Sequence, residues 1–339
     1  MRILYLAVPL IVIWSIVPGL TQSGSASSSR AAVLLVANKG AHTLGIVGTA
    51  AGTQVATVEE DGITGHEVAA SPDGRLAYVP IYGNSGVGKP GTDGRNMMVI
   101  DVASRKKIGN VDFGRGVRPH CAVFGPKDGL LYVTTELENA VTVIDAVSLK
   151  ILGTIPTGQP ESHMLAISPD GRRGYTANVG PGTVSVLDMK ARKTIAVIPV
   201  SSQVQRISVS VDGGSVFTSD QTKAQLAVID TSINKVKAWI PLPGEGYGTA
   251  PTPDGRWLVI AVPDGNKVAV VDLTTMKVAH TIDVPAAPQE VIVSPDGRMA
   301  YVSCDASQKI AVIRVKDWTV EKLIDAGAGT DGLAWAGRK

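Results

Sequence analysis

Ser168-Pro169-Asp170-Gly171-Arg172-Arg173-Gly174-Tyr175-Thr176-Ala177-Asn178 leads through Gly182 into Thr183-Val184-Ser185-Val186-Leu187-Asp188, and this stretch decides the fold. Proline presets φ, aspartate bonds to nearby backbone and glycine takes the left-handed position, so residues 168–171 predict a hairpin turn. The β-branched and aromatic residues after it predict two short strands. The same pattern recurs in both directions. Ser71-Pro72-Asp73-Gly74 and Ser294-Pro295-Asp296-Gly297 are full copies, and degenerate copies start at Gly125, Ser210 and Thr252. The starts at 125, 168, 210, 252 and 294 give a period of about 42 residues.

Seven residues past each turn start stands a strand pair: Tyr78-Val79, Tyr132-Val133, Tyr175-Thr176, Phe217-Thr218, Val259-Ile260 and Tyr301-Val302. A third strand then ends in an acidic turn residue at Asp101, Asp145, Asp188, Asp230 and Asp272, with Arg314 in the sixth copy. A fourth strand follows, as at 151–155 or 194–198. Four short strands per repeat is the signature of a propeller blade. Residues 32–60 supply strands two to four of a further blade, and Asp331-Gly332-Leu333-Ala334-Trp335 supplies a first strand. The expected fold is all-β: a seven-bladed β-propeller of four-stranded antiparallel blades, closed by a composite blade from the N- and C-terminal strands. Closure removes the free strand edges that invite aggregation.

The Ser-Pro-Asp-Gly turn, the Tyr-Val strand and the Val-Ile-Asp strand resemble those of the YVTN-repeat propellers, and the export pattern described next resembles the YncE-like branch. The resemblance spans about residues 32–337. It implies the propeller fold. Relatives of this architecture include lactonases, electron-transfer subunits and surface-layer proteins, and YncE-like proteins are linked to DNA binding. Degenerate turns in blades four and five, Arg314 and a long insertion in blade one depart from the pattern.

Met1 and Arg2 precede an apolar run, Ile3 to Val17, and small residues at 23–27. This predicts a cleaved signal peptide over 1–26, a linker over 27–31 and one propeller domain over 32–339. The run is short for a membrane span of roughly 20 residues, although an uncleaved anchor is the alternative. The expected location is periplasmic or extracellular, the mature chain having no membrane span and being a monomer. A net charge of +2 and 4% aromatic residues argue against nucleic acid as a partner. The two cysteines, Cys121 and Cys304, fall in blades on roughly opposite sides of the ring, too far apart for a disulfide, and are expected to be free, buried thiols.

The start of strand one and the loop between strands two and three lie on one end of each blade, which makes that end the expected functional face. Five residues before each turn start, the chain reads His66, His120, His163, Gln205, Tyr247 and Gln289, with Asp331 in the composite blade. Three histidines therefore occupy equivalent places in consecutive blades. They are the candidate ligands of one transition metal ion, since imidazole suits zinc, copper, iron and nickel. The alternative is that each ring bonds a backbone group of the next blade. Arg118, Arg206, Tyr247, Gln289, Glu290 and Asp331 are the candidate ligand-binding residues around the same opening, and Glu67 and Glu161 the candidate acid–base residues.

The insertion at 83–95 emerges on this face and is read as a flap or as a tolerated surface loop. Gly83, Gly88 and Lys89 have phosphate-loop spacing, but Pro90 replaces the hydroxyl residue and no helix follows, so that motif is rejected. No C-x-x-C-H sequence is present, which excludes covalent c-type haem. The Asp101–Asp272 series is expected to cap turns on the opposite face. Glu136 and Glu138 reach the functional face and read as solvated loop acids, with acid–base partners as the alternative. The leading functional expectation is a ligand-binding or protein-assembly scaffold acting through the channel mouth on a small-molecule or protein ligand. A metal-assisted lactone or ester hydrolase is the alternative, and single-stranded DNA binding the third option.

Overall fold

The computed structural model describes Met1 and residues 32–337; the expected signal peptide and linker lie outside these residues apart from Met1. The described residues form seven antiparallel four-stranded sheets arranged as the blades of a ring. Six blades run in sequence order through strands one to four. In the seventh, Thr330–Ala336 pairs antiparallel with Val33–Asn38, which continues into Thr43–Gly48 and Thr53–Glu59. The composite blade therefore closes the ring as the repeat phase predicts. No helix among the described residues is long and apolar enough to cross a membrane.

The second and third strands are buried on both faces, as in Leu131–Thr135 and Ala140–Asp145. This follows from packing each blade between two neighbours, and explains their near-continuous apolar runs. Fourth strands such as Lys193–Pro199 alternate exposed and half-buried residues because they form the rim. The Ser-Pro-Asp-Gly turns behave as their chemistry dictates: Ser168 Oγ donates to Asp170 Oδ1 at 2.6 Å, and the Arg172 amide donates to the same oxygen. Asp145 Oδ1 accepts from the amides of Val147 and Ser148, and Asp272 accepts from those of Thr274 and Thr275, so these carboxylates cap turns. Cys121 and Cys304 are both free and buried.

A recurring irregularity in the innermost strands decides where function can lie. In blade two the register runs Pro119–Thr135 and then Ala122–Val133, so His120 and Cys121 together face Thr134 alone. In blade four Gln205 and Arg206 face Ser219; in blade six Gln289 and Glu290 face Ser303; in the composite blade Asp331 and Gly332 face Ala37. Blade three has one extra residue, His163, between Ser162 and Met164. Each is a bulge, which bends a strand and re-aims a side chain. Hydroxyls from the second strand fill gaps that the bulges leave: Thr134 Oγ1 accepts from the Cys121 amide and donates to the His163 carbonyl, and Ser303 Oγ accepts from the Glu290 amide.

The insertion differs in extent from its expected limits. The second strand of blade one runs to Gly83 and the third begins at Asp93, paired with one another, so the free loop is 84–92. Gly83 adopts φ +116°, which an L side chain rarely tolerates, and a Cβ there would meet the Thr92 carbonyl.

Candidate functional site at the channel mouth

Side chains from six blades, four of them aimed by these bulges, meet at one chamber of about 170 Å³. Its walls include Lys39, His66, Tyr82, His120, His163 and Arg206, and Gly86 and Val87 of the insertion lie against it. Of the sequence candidates, His66, His120, His163, Arg206, Tyr247 and Asp331 line it directly.

Arg206 is the hub of the floor. It is buried, and its Nη1 donates to Glu67 Oε1 and to Glu290 Oε2 (2.6 Å), while Nη2 donates to Asp331 Oδ1 at 2.9 Å. The guanidinium also lies over the Tyr247 ring, 4.9 Å from its centroid. Asp331 accepts in addition from Lys39, which reaches Asp305 of blade six as well. Burial pushes the carboxyls of Glu67 and Glu290 up against the pull of Arg206. Although buried, Asp331 is held below the usual carboxylate range by Arg206 and Lys39. One guanidinium thus joins four blades. Gly332 permits the close approach: its amide donates to the His66 carbonyl at 3.0 Å, and a Cβ there would meet Glu67.

Three histidines and a tyrosine form the opposite wall. His120 and His163 stack with ring centroids 3.6 Å apart and planes 30° from parallel, while His66 meets His120 edge-on at 5.5 Å. Tyr82 contacts all three rings. Burial lowers the pKa of each imidazole, that of His66 to about 4, and holds the rings neutral near pH 7. The three rings do assemble at the mouth, but a ligating lone pair lies in the ring plane, and two stacked rings direct theirs side by side rather than at one ion. Among the described residues no group of three or more His, Cys, Asp or Glu is placed to hold a metal.

Behind His163 lies Glu136, whose reading as a solvated acid the structure corrects. Its side chain is 2% exposed. Oε2 accepts from the Tyr82 hydroxyl at 2.5 Å; Oε1 accepts from Arg118 Nη1 at 3.1 Å and from the Gly88 amide at 3.2 Å. The short helical turn at 136–138 removes Glu136 from solvent, whereas Glu138 pairs at the surface with Arg115. Burial alone would raise the Glu136 pKa, but His163 and the donated hydrogen bonds bring it down to about 2. Arg118, itself buried, also donates to Asp93 and to the Lys89 carbonyl, so one Arg–Glu pair pins the insertion over the mouth.

Glu161 stands apart from Glu67. It accepts from the Gly180 amide at 2.7 Å and lines an outer groove with Gly88 and Lys89. Gln289 contributes its backbone carbonyl to the Gly248 amide. Tyr82 and Lys39 escaped sequence reasoning, and so did the burial of Glu136. Tyr82 belongs to the strand extension into the insertion, so the repeat offers no counterpart, and the only signal was its nearness to that insertion.

Residues 133–335, well over half of the chain, match the family described as Cytochrome D1 heme domain. The chain belongs to that family. The Cytochrome D1 heme domain match begins after His66 and His120 and includes His163 and Arg206. The chain is also 32% identical over 137 residues to the Seven-bladed beta-propeller protein Rv1057 of Mycobacterium tuberculosis, which is 40% of this chain and 32% of that protein. It thus spans about a third of the length of that curated relative. Among solved structures, a chain of Kuenenia stuttgartiensis Hydrazine Synthase superposes with a TM-score of 0.72 at 22% identity, over 83% of this chain and 92% of that one. This likeness concerns the fold alone.

The family description implies a haem, which the chamber does not fit. About 170 Å³ is well below the roughly 300–1,000 Å³ that drug-sized ligands occupy. The Arg206 bridges cross the floor, and the stacked imidazoles and the pinned loop fill the sides. A macrocycle would require dismantling buried ion pairs.

Proposed function

We propose that this propeller is a binding scaffold whose ligand is a small polar molecule held in the channel-mouth chamber. One observation carries the reading: His120 Nδ1 and Arg206 Nε are both buried without a hydrogen-bond partner, and both residues line this one chamber, as does His163. Buried polar atoms are rarely left unpaired, and each such atom costs about 1–3 kcal/mol. A guest that supplied those partners would recover that cost. Size supports a compact guest, since a cavity of about 150 Å³ takes a six-carbon ring. The action outside the cytoplasm that this reading assumes rests on the charged start and apolar run of residues 1–17.

Native mass spectrometry of protein purified without dialysis tests the reading. A small mass increment that disappears in Arg206→Met and His120→Gln variants is expected. A bare mass, together with a melting temperature unmoved by a panel of small polar compounds, would overturn it.

A further inference from the structure

Glu136 spends one oxygen on the insertion and turns the other towards His163. Oε2, already accepting from Tyr82, stands 3.7 Å from His163 Nδ1, just beyond hydrogen-bond length. Such contacts are often long without ligand and shorten once the site is filled. A carboxylate beside one imidazole nitrogen places the hydrogen on that nitrogen. His163 therefore carries Nδ1–H, and its Nε2 lone pair is left for the chamber. An imidazolium formed by protonation there is stabilised by Glu136, the arrangement that activates imidazole as a base. The groups facing His163 are Glu136, Tyr82, His120, His66, Arg206 and Asp331.

We propose that His163 is a proton acceptor for a small phenol bound in the chamber, with Glu136 as its positioning residue. The proposal rests on the chamber being a ligand site. The phenol O–H bond breaks, an N–H bond forms at His163 Nε2, and the electron pair stays on the phenolate oxygen. Arg206, whose Nε–H has no acceptor, supplies a hydrogen bond to that oxygen. No oxidant, metal or second reactant enters, and reprotonation by His163 reverses the step. A phenol is the weak acid that suits these walls: the chamber has room for one six-membered ring, and imidazoles and tyrosines provide edge and face contacts. Burial keeps His163 neutral in the empty chamber and weakens it as a base, and the Glu136 carboxylate opposes this by favouring the protonated ring.

The probe is 4-nitrophenol, whose phenolate is yellow and whose neutral form is not. Below the pH at which the free compound ionises, mixing with the full chain is expected to raise the phenolate band. Glu136→Gln, nearly the same in shape, should still bind the probe by calorimetry but show about tenfold less bound phenolate, equal to about one pKa unit. His163→Gln should remove the band, and supplies the test if Glu136→Gln fails to fold. Nitrogen-15 spectra give a readout free of ligand: His163 should be the Nδ1–H tautomer in the native chain and lose that preference in Glu136→Gln. Binding without a phenolate band, or an Nε2–H tautomer, overturns the proposal and leaves the ligand reading intact. No binding of 4-nitrophenol overturns the proposal, and the ligand reading falls with it only if native mass spectrometry also finds a bare chain.

Discussion

The Tyr82 hydroxyl lies 2.5 Å from Glu136 Oε2, a hydrogen bond across the seam between blades one and two. Both groups are buried, and the bond links the root of the insertion to the wall of the chamber. Removing the donor leaves a buried carboxylate oxygen with only His163 at 3.7 Å. Tyr82→Phe should therefore cost about 1–3 kcal/mol, seen as a lower urea midpoint at unchanged slope. A midpoint equal to that of the native chain would mean that water replaces the hydroxyl without loss.

Arg206 compensates Glu67, Glu290 and Asp331 at once. Breaking a buried ion pair from one side typically costs about 3–5 kcal/mol, and Arg206→Met should fall in or above that range. The loss should shrink on acidification, because Glu67 and Glu290 are already pushed up by burial and take protons readily once the guanidinium is gone. Denaturation midpoints of both proteins across a pH series check this. A difference that does not change with pH would place the effect in packing rather than charge.

The three buried imidazoles set an acid limit. Their folded pKa values lie below the ordinary 6.5, that of His66 at about 4, so below pH 6.5 the unfolded chain binds protons that the folded chain refuses. Stability is then complete above pH 6.5 and is lost as the pH falls, for His66 by roughly 3 kcal/mol by the time the pH passes its folded value of about 4. Glu136, held at about 2, adds a separate loss below its unfolded value of 4.5. Melting temperature against pH should decline through the first window, and His66→Gln should flatten the decline. An unchanged slope in that variant would assign the acid lability elsewhere.

Burial raises both thiols, Cys121 and Cys304, to about 12. The thiolate is the reactive species, so neither should react with a thiol reagent in the native state at neutral pH, and both should after denaturation. Rapid native labelling of Cys121 would show that its packing against Leu165 of blade three opens on the labelling timescale.

The repeat made the ring legible because turn chemistry and strand periodicity are local properties that recur every 42 residues or so. The same phase located His66, His120, His163, Arg206, Glu290 and Asp331, since a bulge recurs near the same point of most first strands. What the phase could not convey was the direction in which a bulge aims its side chain. Hence His120 and His163 meet as a stack, with His66 edge-on to it. Glu136 looked solvated because nothing in Glu136-Leu137-Glu138 says that one acid turns inward to Arg118 while its neighbour pairs with Arg115 at the surface. Tyr82 and the pinned loop belong to an insertion, where repeat logic has nothing to compare.

The strand Thr330–Ala336 closes the ring and also delivers Asp331 to Arg206 and Lys39. Those contacts join residues separated by 125 and 292 positions. Pairings of such long range are made late, since loop closure must be paid before they reward it. The chamber is therefore a report on assembly: a chain lacking its last strand has neither a sealed circumference nor the carboxylate that completes the chamber wall.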